Sequence, residues 1–68
     1  FTCYRNQLTS LEGAPQIVGL SIDCSWNKLT SLEGAPKEVG NDFWCIENHS
    51  LHSLNGIGEV KGKIYKDF

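Results

Sequence analysis

Leu8-Thr9-Ser10-Leu11-Glu12-Gly13-Ala14-Pro15 returns letter for letter as Leu29-Thr30-Ser31-Leu32-Glu33-Gly34-Ala35-Pro36, 21 residues further on. The same offset links Cys3 to Cys24 and Cys45, and Asn6 to Asn27 and Asn48. A fixed period in this range predicts units that stack, because one short unit cannot bury its own apolar face. The expected architecture is a β-rich solenoid.

Each unit opens on an apolar residue, a variable residue and Cys. The openings are Phe1-Thr2-Cys3, Ile22-Asp23-Cys24 and Phe43-Trp44-Cys45, and Ile64-Tyr65-Lys66 begins a fourth with lysine in place of cysteine. Alternation with period two predicts a short strand with one buried face. The Leu-x-x-Leu that follows breaks that alternation, so the chain must bend there. Gly13 and Gly34 permit positive φ at the bend, and Pro15 and Pro36 exclude a continuing helix. Val18 and Val39 give the return path an inward anchor. The prediction is a parallel sheet of about four strands, with extended or 3₁₀ return segments. The units span about 1–21, 22–42 and 43–63, with a partial one at 64–68, in a single repeat domain over 1–68. The third unit slips. It carries one extra residue before Leu51 and loses one near Gly58, so Glu59 and Val60 regain the phase of Glu38 and Val39.

The pattern x-Φ-x-Cys-x-x-Asn-x-Leu-x-x-Leu, with Φ at Phe1, Ile22, Phe43 or Ile64, resembles the leucine-rich repeat family in its short bacterial and bacteriophage form. It covers nearly the whole chain. The resemblance implies a curved right-handed coil with the sheet on its concave side, used mostly to hold other proteins. Cysteine where many repeats have leucine, the Gly-Ala-Pro bend and the slipped third unit depart from the family pattern.

Composition narrows the function. The 68 residues carry six Lys and Arg against eight Asp and Glu, a formal charge of -2. No basic block is present, so the electrostatic footprint of nucleic-acid binding is missing. Apolar runs are only a few residues long, too short to span a bilayer, so no membrane partner is expected. Phe1 opens in mid-unit, and the chain is expected to be a piece of a longer repeat protein. Three equally spaced cysteines argue against a disulfide framework and favour a reducing compartment.

Cys3, Cys24 and Cys45 fall on the inward face, where free cysteine acts as a small hydrophobe. Asn6, Asn27 and Asn48 form a second ladder, placed to bond turn backbone that no regular structure satisfies. Cys45 with His49 or His52 lacks the four convergent ligands of a metal site, and an inward thiol makes a poor nucleophile. No cofactor and no enzymatic activity are expected.

The outward positions carry the binding expectation. Tyr4, Arg5, Asp23, Trp26, Asp42, Trp44, Ile46, Glu47 and Tyr65 are the candidate partner-binding residues, alongside Thr2, Ser21, Ser25, Lys63 and Asp67. Aromatic residues are enriched in interface hot spots. Asp23, Asp42 and Glu47 form an acidic rim suited to a basic partner. Against this, the rings could simply cover one another on the sheet, and a carbohydrate groove uses the same residue types. The expected function is a non-enzymatic protein-interaction module. The alternative is a structural or assembly subunit, for example of a phage virion, joined to neighbouring chains or to copies of itself through exposed ends.

Overall fold

The computed structural model describes residues 1–68. The chain is β-rich and has no helix. Six strands of two residues each follow one another: β1 Ile17–Val18, β2 Ile22–Asp23, β3 Glu38–Val39, β4 Phe43–Trp44, β5 Glu59–Val60 and β6 Ile64–Tyr65. They form two three-stranded parallel sheets, ordered β2-β4-β6 and β1-β3-β5.

Every pairing joins residues 21 apart. Ile22 lies beside Phe43 and Phe43 beside Ile64, while Val18 lies beside Val39 and Val39 beside Val60. The first sequence unit adds only a single parallel bridge, Thr2 to Asp23. The sheet therefore has three full strands and one extra rung in place of about four strands. Hydrogen bonding continues beyond the named strands. The Cys3, Cys24 and Cys45 amides donate to the Asp23, Trp44 and Tyr65 carbonyls at 2.9, 2.8 and 2.9 Å.

The return path is extended, as expected, and it does more than return the chain. It pairs into the β1-β3-β5 sheet. Lys37 N donates to Gln16 O, and Glu59 N to Lys37 O, both at 2.8 Å. The reason is that buried Val18 and Val39 hold consecutive return segments at the same depth, so their backbones come within bonding distance and satisfy each other.

The bends are turns. Ala14, Ala35 and Ile57 each donate to the carbonyl three residues back, at 3.0 Å in every case. The third residue of each turn is glycine with φ of 90, 87 and 94° at Gly13, Gly34 and Gly56, as a type II turn requires. The third turn thus survives the slip. The extra residue is absorbed in a turn at His49–Ser50, closed by Leu51 N on Asn48 O at 3.0 Å. The missing residue falls just after Gly58. There the backbone is drawn so close to the preceding unit that a Cβ would stand 2.3 Å from Pro36 O. Only glycine fits that approach.

The interior is built from the inward letters. Ile22, Cys24, Leu29, Leu32, Val39 and Phe43 are wholly enclosed, and Leu11, Val18, Cys45 and Leu51 complete the core. Cys3, Leu8, Leu54, Ile57 and Val60 pack against it at either end and are partly covered.

Candidate partner-binding face

The strand-outward positions of β2, β4 and β6 form one column, Asp23, Trp44 and Tyr65, with Thr2 bridged at its head. Parallel pairing in register sets these side chains side by side on one face. The Trp44 and Tyr65 rings stack at 3.8 Å between centroids and 13° between planes. Both are half-buried, so much of their surface covers each other.

Tyr4 and Trp26 behave differently, being 51% and 48% exposed. Arg5 sits over the Trp26 ring, 5.5 Å from its centroid. Trp44 and Tyr65 are thus closed by stacking, while Tyr4 and Trp26 are each half open to solvent. Ile46 is half-buried. Ser25, read from the sequence as outward with the rest, is 97% buried, and its hydroxyl has no hydrogen-bond partner.

Arg5, Trp26 and Glu47 also depart from their expected place as strand flanks. They lie beyond the strands in left-handed backbone, with φ of 58, 59 and 56°. None is glycine, asparagine or aspartate, and for a ring as large as Trp26 the conformation is a real outlier. It aims the three side chains away from the interior. Their amides still pair along the column: Arg5 N donates to Ser25 O and Trp26 N to Ile46 O, each at 3.0 Å. Glu47 N donates to the Asp67 carboxylate at 3.0 Å.

The acidic residues are partly committed. Asp23 Oδ1 accepts the Ser25 amide at 3.0 Å, and Asp42 Oδ1 accepts the Lys63 amide at 2.9 Å. Glu47 pairs with exposed His49 at 3.3 Å. One oxygen of Asp23 and one of Asp42 serve the fold.

Behind this face run the two inner ladders. Asn27 Nδ2 donates to the carbonyls of Cys3, Cys24 and Ser25, and its Oδ1 accepts the amides of Asn6 and Leu8. Asn48 does the same one unit on, donating to Cys24, Cys45 and Ile46 and accepting from Leu29. Asn6 is exposed and donates only to its own Cys3 and Tyr4 carbonyls. Asn27 and Asn48 each stitch their own unit to the one before it.

The cysteines are free thiols. Cys24 Sγ donates to Trp44 O at 3.2 Å and Cys45 Sγ to Tyr65 O at 3.5 Å. Burial pushes all three thiols up. Neighbouring Cys45, Cys3 and Asp23 add to it at Cys24, which is raised furthest. Cys45 is pushed up to about 11, with Asp67 adding and Lys66 opposing. Cys3 is raised by burial and by Asp23. A thiol that keeps its proton is a weak nucleophile and a weak metal ligand.

The same shifts fix a pH dependence. The unfolded thiols release their protons near the ordinary value of 9.0, while the folded ones still hold theirs. Stability is therefore complete below about pH 9 and falls as pH rises through the folded values. The melting temperature should stay flat between about pH 7 and 8.5 and drop above about 9. Cys24→Ala should flatten that drop, and an unchanged slope would show that the thiols are not its source.

A further groove lies outside the residues that the sequence pattern singles out. Thr9, Ser10, Glu12, Thr30, Ser31, Glu33 and Gly34 line an open groove along the bends, with no hydrophobic side chain in its lining. Its sequence signal is the duplicated Thr-Ser-Leu-Glu, in which the polar letters flank the leucines that pack inward. Compared with protein-family models, with curated proteins and with solved structures, the chain finds no match.

Proposed function

We propose that this chain is a solenoid module of the leucine-rich repeat type, non-enzymatic, which holds a protein partner on the outward face of the β2-β4-β6 sheet. The 21-residue register in both sheets and the ladders of Cys, Asn and Val support the stacked-coil reading. Right-handed winding follows from the chirality of parallel crossovers. The face would lie on the concave side.

One observation carries the functional reading: Tyr4 and Trp26 stay half exposed while Trp44 and Tyr65 cover each other. Mutual coverage accounts for Trp44 and Tyr65, whereas Trp26 is covered only in part, by the Arg5 guanidinium, and Tyr4 stands half open. Large rigid rings at an exposed site are what interface anchors are made of. Asp23, Asp42, Ile46 and Glu47 surround them, and the free carboxylate oxygens favour basic groups in the partner. Raised thiol values support the absence of nucleophilic chemistry.

Selection from a displayed random-peptide library should yield binders to this face. Trp26→Ala should weaken them by more than about tenfold, the effect of a hot-spot anchor. Trp44→Ala should weaken them further, and it should also lower the melting temperature through loss of the stack. Binders that tolerate both changes, or a selection that finds none, would refute the proposal.

A second reading, an assembly subunit, draws on the apolar ends. Phe1, Ile64 and Phe68 are 50, 37 and 40% exposed. In that reading neighbouring chains cover them.

A further inference from the structure

Arg5, Trp26 and Glu47 occupy one position of three successive units and share one backbone conformation. Read along the column they run cation, aromatic, anion. Arg5 already leans over the Trp26 ring, and the Trp26 amide is bonded to Ile46, the residue before Glu47. The column is therefore continuous, with units about 4.8 Å apart as in any paired sheet.

Such an order is complementary to itself. A two-fold rotation about an axis lying in the contact plane, over Trp26 and at right angles to the column, brings a second copy face to face with the column reversed. Arg5 of one copy then meets Glu47 of the other, Glu47 meets Arg5, and the two Trp26 rings meet on the axis. This is the signature of an isologous contact, in which one patch serves both partners. The strain points the same way. Asn or Gly would relax a left-handed residue at no steric cost, yet all three positions hold long or bulky side chains. The sequence keeps the side chains and tolerates the backbone.

We infer that the partner of this face is a second copy of the same chain, docked through Arg5, Trp26 and Glu47 in two-fold symmetry. The inference rests on the interaction-face reading above and names its occupant. Phe68 stands one unit beyond Glu47, outside the symmetric trio, and extends the apolar rim. His49, paired to Glu47 at 3.3 Å, yields that carboxylate to the incoming guanidinium, which can bind it in two-pronged fashion.

Charge exchange tests this directly by sedimentation equilibrium on the purified chain. The unmodified chain should associate to a dimer. Arg5→Glu alone places four acids around the axis, and Glu47→Arg alone places four bases there, so each should weaken self-association by at least about tenfold. An equimolar mixture of these two variants should regain the dimer, because every acid of one then faces a base of the other. The double exchange Arg5→Glu with Glu47→Arg should also regain it. Trp26→Asn, which suits left-handed backbone, should keep the fold by circular dichroism and lose the dimer. A chain that stays monomeric up to about 1 mM overturns the inference, since weaker contacts have little meaning for an isolated pair. So does a mixture that associates no better than its components. If peptides still depend on Trp26 while the chain stays monomeric, the interaction face survives and only its occupant is wrong.

Discussion

Asn27→Ala should remove most of this chain's stability. The side chain makes five hydrogen bonds, three as donor and two as acceptor, at 2.9 to 3.3 Å. The loss is uneven. The Cys3 and Cys24 carbonyls keep a second donor in Asn6 and Asn48, and Ser25 O keeps the Arg5 amide. The Asn6 and Leu8 amides have no other acceptor, and Leu8 is partly covered. Two stranded donors, plus the lost donor bonds of a side chain only 6% exposed, should cost about 3–4 kcal/mol. A chain of this length has only about 3–10 kcal/mol in total. Asn27→Asp should fare no better, because it keeps the acceptor but faces three carbonyls with a buried charge. Asn6→Ala, at an exposed position, should cost about 1 kcal/mol or less. Urea unfolding of the three variants reads this out. An Asn27→Ala midpoint close to that of the unmodified chain would mean that the ladder is ornamental.

Gly34→Ala should be nearly as damaging, and Gly13→Ala should not. Both glycines hold the same turn position, with φ of 87 and 90°. A Cβ at either costs about 1 kcal/mol in backbone strain. At Gly34 that Cβ would also stand 2.6 Å from Glu12 N and 2.8 Å from the Leu11 carbonyl carbon. These are backbone atoms of the preceding unit, and no side-chain rotation relieves the overlap. The units would have to move apart, opening the Leu11–Leu32 layer of the core, at a further cost of roughly 3 kcal/mol. At Gly13 the Cβ would meet nothing within 4 Å. Gly13→Ala should lower the melting temperature by about 4–8 °C, the shift of 1 kcal/mol in a domain of this size. Gly34→Ala should leave no cooperative transition near it. Equal effects from the two substitutions would contradict the close approach of consecutive turns.

These two expectations show how much was legible in residue order. Asn27 and Gly34 were both marked by recurrence alone, and recurrence correctly placed them at bends. It could not rank them. Asn6 and Asn27 are the same letter in the same context, as are Gly13 and Gly34. Their difference arises from whether another unit lies against them, and that is a property of position in the stack of backbones.

The candidate face was legible to a lesser degree. Period two marked Asp23, Trp44 and Tyr65 as facing outward together, and they do share one column. The same alternation failed one and two residues later. Ser25 is buried, and Arg5, Trp26 and Glu47 turn into left-handed backbone. Nothing in their letters announces that turn, since arginine, tryptophan and glutamate have no preference for it. The pairing of the extended return segments into a second sheet was not legible, for a related reason. Glycine and proline correctly excluded a helix, yet pairing of Glu38 with Ile17 and Glu59 depends on depth, not on strand propensity.

What residue order determined by itself was the 21-residue period, the inward letters and the bends. These follow from side-chain polarity and from the φ range each residue tolerates, both intrinsic to the residue. What only the tertiary structure decided was the second sheet, the stacking of Trp44 on Tyr65, the burial of Ser25 and the left-handed column through Trp26. Each of these depends on groups brought alongside from the next unit, and that contact exists only once the chain has folded back on itself.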